Sequence, residues 1–241
     1  MDKFLTIKKA ASFLNVSEMS LRRWTNAGKL KCYRVGGNKE RRFNQQDLLN
    51  FLHQGDGGLT PLGLGENKVG TSSHIAQFYQ TLDESIAAGI SYLGKGLAQG
   101  EKIFVVSTDA RLDSLLDGLK KQGFPVSNLL ADGSITTDTG RTAPPEQIDF
   151  MLKVISATNS PKGFRLLGDM VWAQKLDWDI RDLTVLENFT NNALTGEKKL
   201  FLCQYDLDNF GASTALMAFE THDLITYRDN LQESPYFAAG H

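Results

Sequence analysis

Apolar residues at helical spacing open the chain. Ile7, Ala10, Ala11 and Leu14 recur at steps of three and four, the stripe that one buried helix face requires. Asn15 and Val16 interrupt it. Ser17 then stands where a second helix would take its N-cap, with Glu18 in a first turn that the helix dipole favours. Leu21 and Trp24 share one side of that helix, and Gly28 closes it as glycine does past a helix end. Lys31 to Val35 and Arg41 to Phe43 flank Gly36-Gly37-Asn38, where glycine supplies the positive φ of a hairpin turn. Asn44 is placed to cap a third helix with Leu48, Leu49 and Leu52 on its apolar side. The pattern predicts two short helices joined by a tight turn, the arrangement that sets the second in a DNA major groove. A positively charged wing carrying Lys31, Arg34, Lys39, Arg41 and Arg42 follows.

Beyond Phe51 the periodicity lapses. Residues 54–73 hold six glycines and a proline with no heptad pattern, which predicts a flexible linker over 55–73 and no coiled-coil dimerisation helix. From His74 a second domain is predicted to run to the end. An amphipathic helix carries Ile86, Ile90, Leu93 and Leu97, and KIFVVST reads as a buried strand. Residues 110–122 repeat a helical pattern, 124–145 read as a short strand and loop, and a helix passes through Ile148, Leu152 and Ile155. FRLLGDMVW (164–172) and KLFLCQYDL (199–207) are further buried-strand candidates, separated by a helix containing Leu183, Leu186, Phe189 and Leu194. A last helix covers 211–220. Strands alternating with helices predict an α/β domain with a mostly parallel sheet.

Charge sharpens the division. Residues 1–54 hold 11 Lys and Arg against 4 Asp and Glu, whereas 55–241 hold 15 against 24, so the net −2 hides a +7 head and a −9 remainder. A head of that sign is suited to phosphate. The two cysteines, Cys32 and Cys203, have neither paired nor metal-type spacing. With no signal peptide in MDKFLTIKK and no membrane-length apolar segment, a reducing cytoplasm is the expected location.

The stretch AASFLNVSEMSLRRW, with AGKLKCYRVGG and the closing RRF, resembles the winged helix-turn-helix of the MerR, BldC and excisionase families over residues 3–53. That resemblance implies double-stranded DNA as partner, met by Ser17, Ser20, Arg22, Arg23, Lys29, Arg34, Lys39, Arg41 and Arg42. The second domain resembles the MEDS family of methanogen and methylotroph sensory domains. The match rests on His74 with Phe78-Tyr79; Gly96-Leu97 with Gly100-Glu101; Arg165; Gly168-Asp169-Met170 with Trp172; Leu202 to Asp206 with Phe210; and His222. Ala76 and Asp169 stand where that family commonly has cysteine and glutamate. More distantly, GLAQGEKIFVV is similar to the segment before the phosphate loop of RecA/KaiC-type ATPases, but STDARLDSLL follows it in place of GxxxxGK[ST]. An ATPase-like scaffold without its hydrolytic apparatus is implied, so no enzyme activity and no cofactor are expected.

Arg165, Asp169, Gln204, Asp206 and His222 are expected near strand ends, where open α/β sheets bind ligands. Phe78, Tyr79, Trp172 and Tyr205 offer rings for such a pocket, and His74 joins them as a candidate. His74, Cys203 and His222 lack a spacing signature, so no metal site is predicted. The sequence thus predicts a homo-oligomeric DNA-binding transcriptional regulator whose second domain senses a small molecule or a signalling nucleotide. An adaptor for another regulator and a DNA-recruited nucleotide hydrolase are the alternatives.

Overall fold

The computed structural model describes residues 4–14, 16–26, 30–37, 39–54, 59–157, 160–194 and 198–237. The chain divides between Gly58 and Leu59 into two compact units.

The first unit runs β1 (Leu5–Thr6), α1 (Ile7–Phe13), α2 (Glu18–Asn26), β2 (Tyr33–Val35), β3 (Glu40–Phe43) and α3 (Gln45–Gln54). Each helix start is capped by the residue before it. Thr6 accepts from Lys9 N at 3.3 Å, Ser17 Oγ from Ser20 N at 3.1 Å, and Asn44 Oδ1 from Gln46 N at 2.8 Å. Ala10, Ala11, Leu14, Leu21, Leu30, Phe43 and Leu48 form the core, with Trp24 packed on Phe51 at 4.8 Å between ring centroids. The side chain of Leu52, and residues Asn15, Gly28 and Asn38, lie outside the described residues. The predicted hairpin gains a strand: β3 is central, antiparallel to both β2 and β1. At two residues, β1 is too short to announce itself by alternation.

The second unit comprises β4 (Thr60–Pro61), β5 (Lys68–Val69), β6 (Ser72–Tyr79), α4 (Leu82–Ala98), β7 (Lys102–Val106), α5 (Asp109–Lys121), α6 (Val126–Ala131), β8 (Ile135–Asp138), α7 (Pro144–Ala157), β9 (Phe164–Asp169), α8 (Val171–Lys175), α9 (Ile180–Ala193), β10 (Lys199–Asp206), α10 (Ala212–Thr221), β11 (Leu224–Tyr227) and β12 (Asn230–Glu233). The main sheet has seven strands in the order β12-β11-β6-β10-β9-β7-β8, parallel except for the β12 edge. Alternate residues of each strand feed two separate cores. Ala76, Phe104, Leu166, Cys203 and Tyr205 face α7, α8, α9 and α10, whereas Ile75, Val105, Leu167 and Leu202 face α4 and α5.

The structure corrects three expectations. Residues 59–73 are not a linker: Leu62, Leu64 and Val69 are buried in the α4–α5 core, and β4 and β5 form a small antiparallel ladder. The glycines there serve tight turns, and Gly63 and Gly65 have positive φ. The remainder of the predicted linker, 55–58, lies outside the described residues. Residues 126–131 form the short helix α6 where strand and loop were expected. Finally, β9 stops at Asp169, so Trp172 belongs to the helix α8 and not to a strand end.

Arg165 is corrected as well. It lies near the amino end of β9, away from the edge where ligands bind in open sheets, and is fully buried. Its Nε donates to Glu101 Oε2; Nη1 donates to Leu62 O and Tyr92 O at 2.5 and 3.0 Å, and Nη2 to Pro61 O at 2.7 Å. The guanidinium therefore pins the β4–β5 hairpin to the sheet, with four of its five N–H donors spent on the protein. Gly96 makes room for it, since a Cβ there would lie 2.7 Å from Arg165 Cδ. Arg165→Met should cost about 3–5 kcal/mol in denaturant unfolding, because Glu101 is then buried without its main partner; the double change with Glu101→Met should recover most of that stability. A single variant as stable as the parent would show that the pair does not hold the hairpin.

Candidate functional site

In the first unit, α2 exposes Met19, Arg22, Arg23 and Asn26 while burying Leu21. Arg22 and Glu18 approach to 3.8 Å across one helical turn, both half-exposed. On the wing, Arg34 and Lys39 are exposed, and Lys39 takes a left-handed φ of 48° at the turn. Arg41 and Arg42 are more enclosed. Arg41 Nη2 donates to Asn26 Oδ1 at 2.5 Å, tying the wing to α2, and Arg42 pairs with Glu40 at 2.9 Å. Ser17 and Ser20 are occupied with each other at the helix cap. Of the nine residues expected at DNA, Arg22, Arg23, Arg34 and Lys39 are thus presented outward, and Lys29 lies outside the described residues.

In the second unit the expected ligand residues fall into separate places. At the carboxyl edge of the sheet, Tyr79, Asp169 and Asp206 converge on Arg111 from α5. Arg111 Nη1 donates to Asp169 Oδ2 at 2.8 Å and to Tyr79 Oη at 2.6 Å, and Nη2 lies 3.8 Å from Asp206. Ser107 Oγ adds a bond to Asp169 Oδ2 at 2.9 Å. Burial, with the Asp169 charge beside it, pushes the Tyr79 hydroxyl up. Burial opposes the charge on Arg111, but Asp169 and Tyr79 outweigh it. The chain passes from β7 through Ser107-Thr108 directly into α5, which brings Arg111 to the sheet edge in the helix's first turn.

Gln204 and Arg165 lie elsewhere. Gln204 faces the α4 side, where its Nε2 donates to Gln77 Oε1 at 2.8 Å and to Ser85 O at 2.9 Å. Both are structural partners of the core.

The opposite face carries the remaining residues. His74 on β6, Cys203 on β10, His222 just past α10 and Glu187 of α9 place four donor atoms within 4.8 Å of one another, all buried. His74 Nε2 is 3.1 Å from Glu187 Oε2 and 3.4 Å from Cys203 Sγ; His222 Nε2 is 3.6 Å from Glu187 Oε2. Tyr205 Oη donates to Glu187 Oε1 at 2.5 Å. Phe78 lies against this group, with centroids 5.9 Å from Tyr205 and 5.2 Å from Phe219. Burial and the neighbouring His74 push His222 down to about 3, so it is neutral near pH 7. Burial acts to raise the Glu187 carboxyl, but the contacts from His74 and the Tyr205 hydroxyl hold it below the usual carboxylate range. Asp223 caps the β6 backbone by accepting from His74 N at 2.8 Å, and burial pushes its carboxyl up to about 6.

A cavity of about 20 Å³ adjoins the cluster, lined by Gln147, Met151, Leu166, Met170, Trp172, Leu186, Glu187, Thr190 and Cys203 among others. Its walls are mostly apolar. Two polar groups in them stand out. Gln147 is fully buried with neither amide atom bonded, and Trp172 Nε1 is buried without an acceptor. Trp172 is held by Trp178 at 4.9 Å and by Gly140, where a Cβ would come within 2.1 Å of the indole. A wider groove of about 320 Å³ lies between the β4–β5 hairpin, β6 and α4, with the carboxylates of Glu84 and Asp229 on its rim.

Residues 73–223 match the MEDS family, the methanogen/methylotroph, DcmR sensory domain. The chain belongs to that family. Residues 4–56 match a helix-turn-helix domain family. The transcriptional repressor DcmR of Methylorubrum extorquens strain DM4 is 30% identical over 250 residues, spanning 96% of this chain and 94% of its own. A KaiC-like protein from the hyperthermophilic archaeon Pyrococcus horikoshii OT3 shares the fold, with a TM-score of 0.52 at 12% identity over 71% of this chain and 80% of that one. No helix among the described residues is long and apolar enough to cross a membrane.

The MEDS domain thus brings His74, Trp172, Tyr205 and His222 to one region and sends Tyr79, Asp169 and Asp206 to another. Glu187, Gln147 and Arg111 were not foreseen. Glu187 could have been: it falls four residues after Leu183 and three before Thr190, on the buried stripe of α9. An acidic residue on such a stripe signals a partner inside. Gln147→Met should stabilise the domain by about 1–3 kcal/mol, because it removes a buried amide without partners and keeps the volume. Equilibrium unfolding checks this; a destabilised variant would mean that the amide is bonded.

Proposed function

We propose that this MEDS-family protein is a DNA-binding transcriptional regulator whose C-terminal domain responds to a small organic molecule of a few heavy atoms. The observation carrying the ligand reading is the small cavity with two orphaned polar groups in its lining, the Gln147 amide and the Trp172 indole N–H. Apolar walls with a few convergent polar groups are the usual make-up of a small-molecule site. As it stands the space holds about one water. Met151 and Met170 in its wall are unbranched and adaptable, so it opens for a slightly larger guest. A signalling nucleotide is too large for it. DcmR being named a transcriptional repressor supports the regulatory role.

The domain is read as a sensor without nucleotide hydrolysis. Asp169, the carboxylate that could have held a metal, is already engaged by Arg111, Ser107 and Tyr79. In the head, α2 enters the major groove with Arg22 and Arg23 while the wing tracks phosphate with Arg34 and Lys39. Two heads acting on half-sites would supply the affinity that one small head lacks. The ligand acts by binding one arrangement of the assembly more tightly than the other.

Two measurements test this reading. Arg34→Ala with Lys39→Ala should weaken binding to specific and unrelated DNA alike and lower the log–log salt slope by about 0.9 for each phosphate no longer neutralised. An unchanged slope removes the wing from the interface. DNA binding by the full chain should also respond to a member of a panel of one- to three-carbon alcohols, amides and halides, and Gln147→Met should abolish the response while leaving ligand-free DNA affinity intact. A response that survives Gln147→Met places the ligand outside the cavity.

A further inference from the structure

The four donor atoms beside the cavity pose a proton-counting problem. His222 Nδ1 lies 2.9 Å from Ala218 O, and a backbone carbonyl only accepts, so that nitrogen carries the hydrogen. Asn191 settles His74 in the same way. Its Nδ2 donates to Thr221 O at 2.7 Å, which turns its Oδ1 toward His74 Nδ1 at 2.9 Å. His222 therefore directs a bare Nε2 lone pair inward, and His74 turns its own Nε2 to the same point. They meet Glu187 Oε2, whose sister oxygen is taken by Tyr205, and the Cys203 sulfur, 3.6 Å from that carboxylate oxygen. His222 Nε2 is left buried with no hydrogen-bond partner. Hydrogen bonds among these groups cannot satisfy the centre.

We propose that His74 Nε2, His222 Nε2, Cys203 Sγ and Glu187 Oε2 bind one divalent transition-metal ion of the zinc class. A tetrahedral ion with bonds of 2.0–2.3 Å needs donors about 3.3–3.8 Å apart. Four of the six separations, 3.1, 3.4, 3.6 and 3.6 Å, lie close to that, and all six fall within 4.8 Å, so the ion would draw the donors together. Charge agrees too. A thiolate and a carboxylate neutralise a dication, whereas the same anions alone would be costly at a site this deep. Mixed imidazole, thiolate and carboxylate ligands in a tetrahedron favour zinc over the harder magnesium or calcium. The outer contacts follow the pattern of metal-bound histidines, each Nδ1–H fixed by an oxygen acceptor, and Tyr205 orients the carboxylate. The ion would tie β6 and β10 to α9 and to the end of α10. This site does not depend on the regulatory reading, since the donors hold the ion whether or not the cavity takes a guest.

The test uses the full chain, stripped with a chelator and titrated with Co²⁺ and then Zn²⁺. One equivalent of Co²⁺ should bind with intense tetrahedral d–d absorption and a thiolate-to-cobalt charge-transfer band, both displaced by Zn²⁺. The band should vanish in Cys203→Ser and persist in Cys32→Ser. Asn191→Leu, which keeps all four donors, should weaken Zn²⁺ binding about 10–100-fold by releasing the His74 ring. Circular dichroism on each variant separates failure to bind from failure to fold. Folded parent that takes up no Co²⁺, or a band that survives Cys203→Ser, overturns the proposal. Neither result bears on the response of DNA binding to small molecules, so the two readings fail separately.

Discussion

Strands β6, β10 and β9 lie inside a parallel sheet with helices on both faces, so water reaches neither side of them. Every polar side chain on those strands must then find its partners within the protein or leave costly orphans. That constraint explains the layout of the whole domain. Arg165 goes to Glu101 and three carbonyls at the amino edge, Gln204 goes to Gln77 and Ser85, and Asp169 goes to Arg111, Ser107 and Tyr79 at the carboxyl edge. Each of these sets is internally paired, the second Glu101 oxygen by the Lys198 ammonium. The His74–Glu187–Cys203–His222 group and its neighbouring cavity are different, because hydrogen bonds internal to the protein leave donors and acceptors over.

Much of this was readable from the residues. The head's helices, caps and wing follow local rules, and Ser17, Asn44, Leu21 and Trp24 take the places that spacing and capping chemistry assign. The buried runs of β7, β9 and β10 were likewise visible, since strands covered on both faces have no polar alternation to confuse them. Failure came where tertiary contacts override local signals. Glycines in 59–73 suggested flexibility, yet Leu62, Leu64 and Val69 find a core to fill. Residue-level site assignment suffered most. His74, Cys203 and His222 stand so far apart in sequence that only strand register and the return of α10 join them. Glu187 needed α9 to be packed on the sheet before its role could appear.

The scaffold itself argues for a change of use. In open α/β sheets the carboxyl edge is where ligands bind, and here that edge is closed by its own guanidinium. Arg111 sets an internal positive charge 2.8 Å from Asp169 and 3.8 Å from Asp206. On the sheet face, between strands and helices, the space beside Gln147 and Trp172 is small and mostly apolar.

Coupling from that face has a physical route inside the domain. Glu187 and Thr190 border the cavity and lie on α9, whose Asn191 bonds Thr221 O at the end of α10. His222 and Asp223 follow at once, and Asp223 holds the start of β6 before the chain enters β11, β6's neighbour in the sheet. A guest that displaces α9 must therefore either break the Asn191 bond or carry the end of α10 with it. Packed interiors do not deform continuously, so the two options are discrete arrangements and not a graded strain. The side chains that shape the cavity are thus the same ones that fix how α10 and the β11–β12 edge are held, which is the differential contact that any ligand-driven shift in population requires.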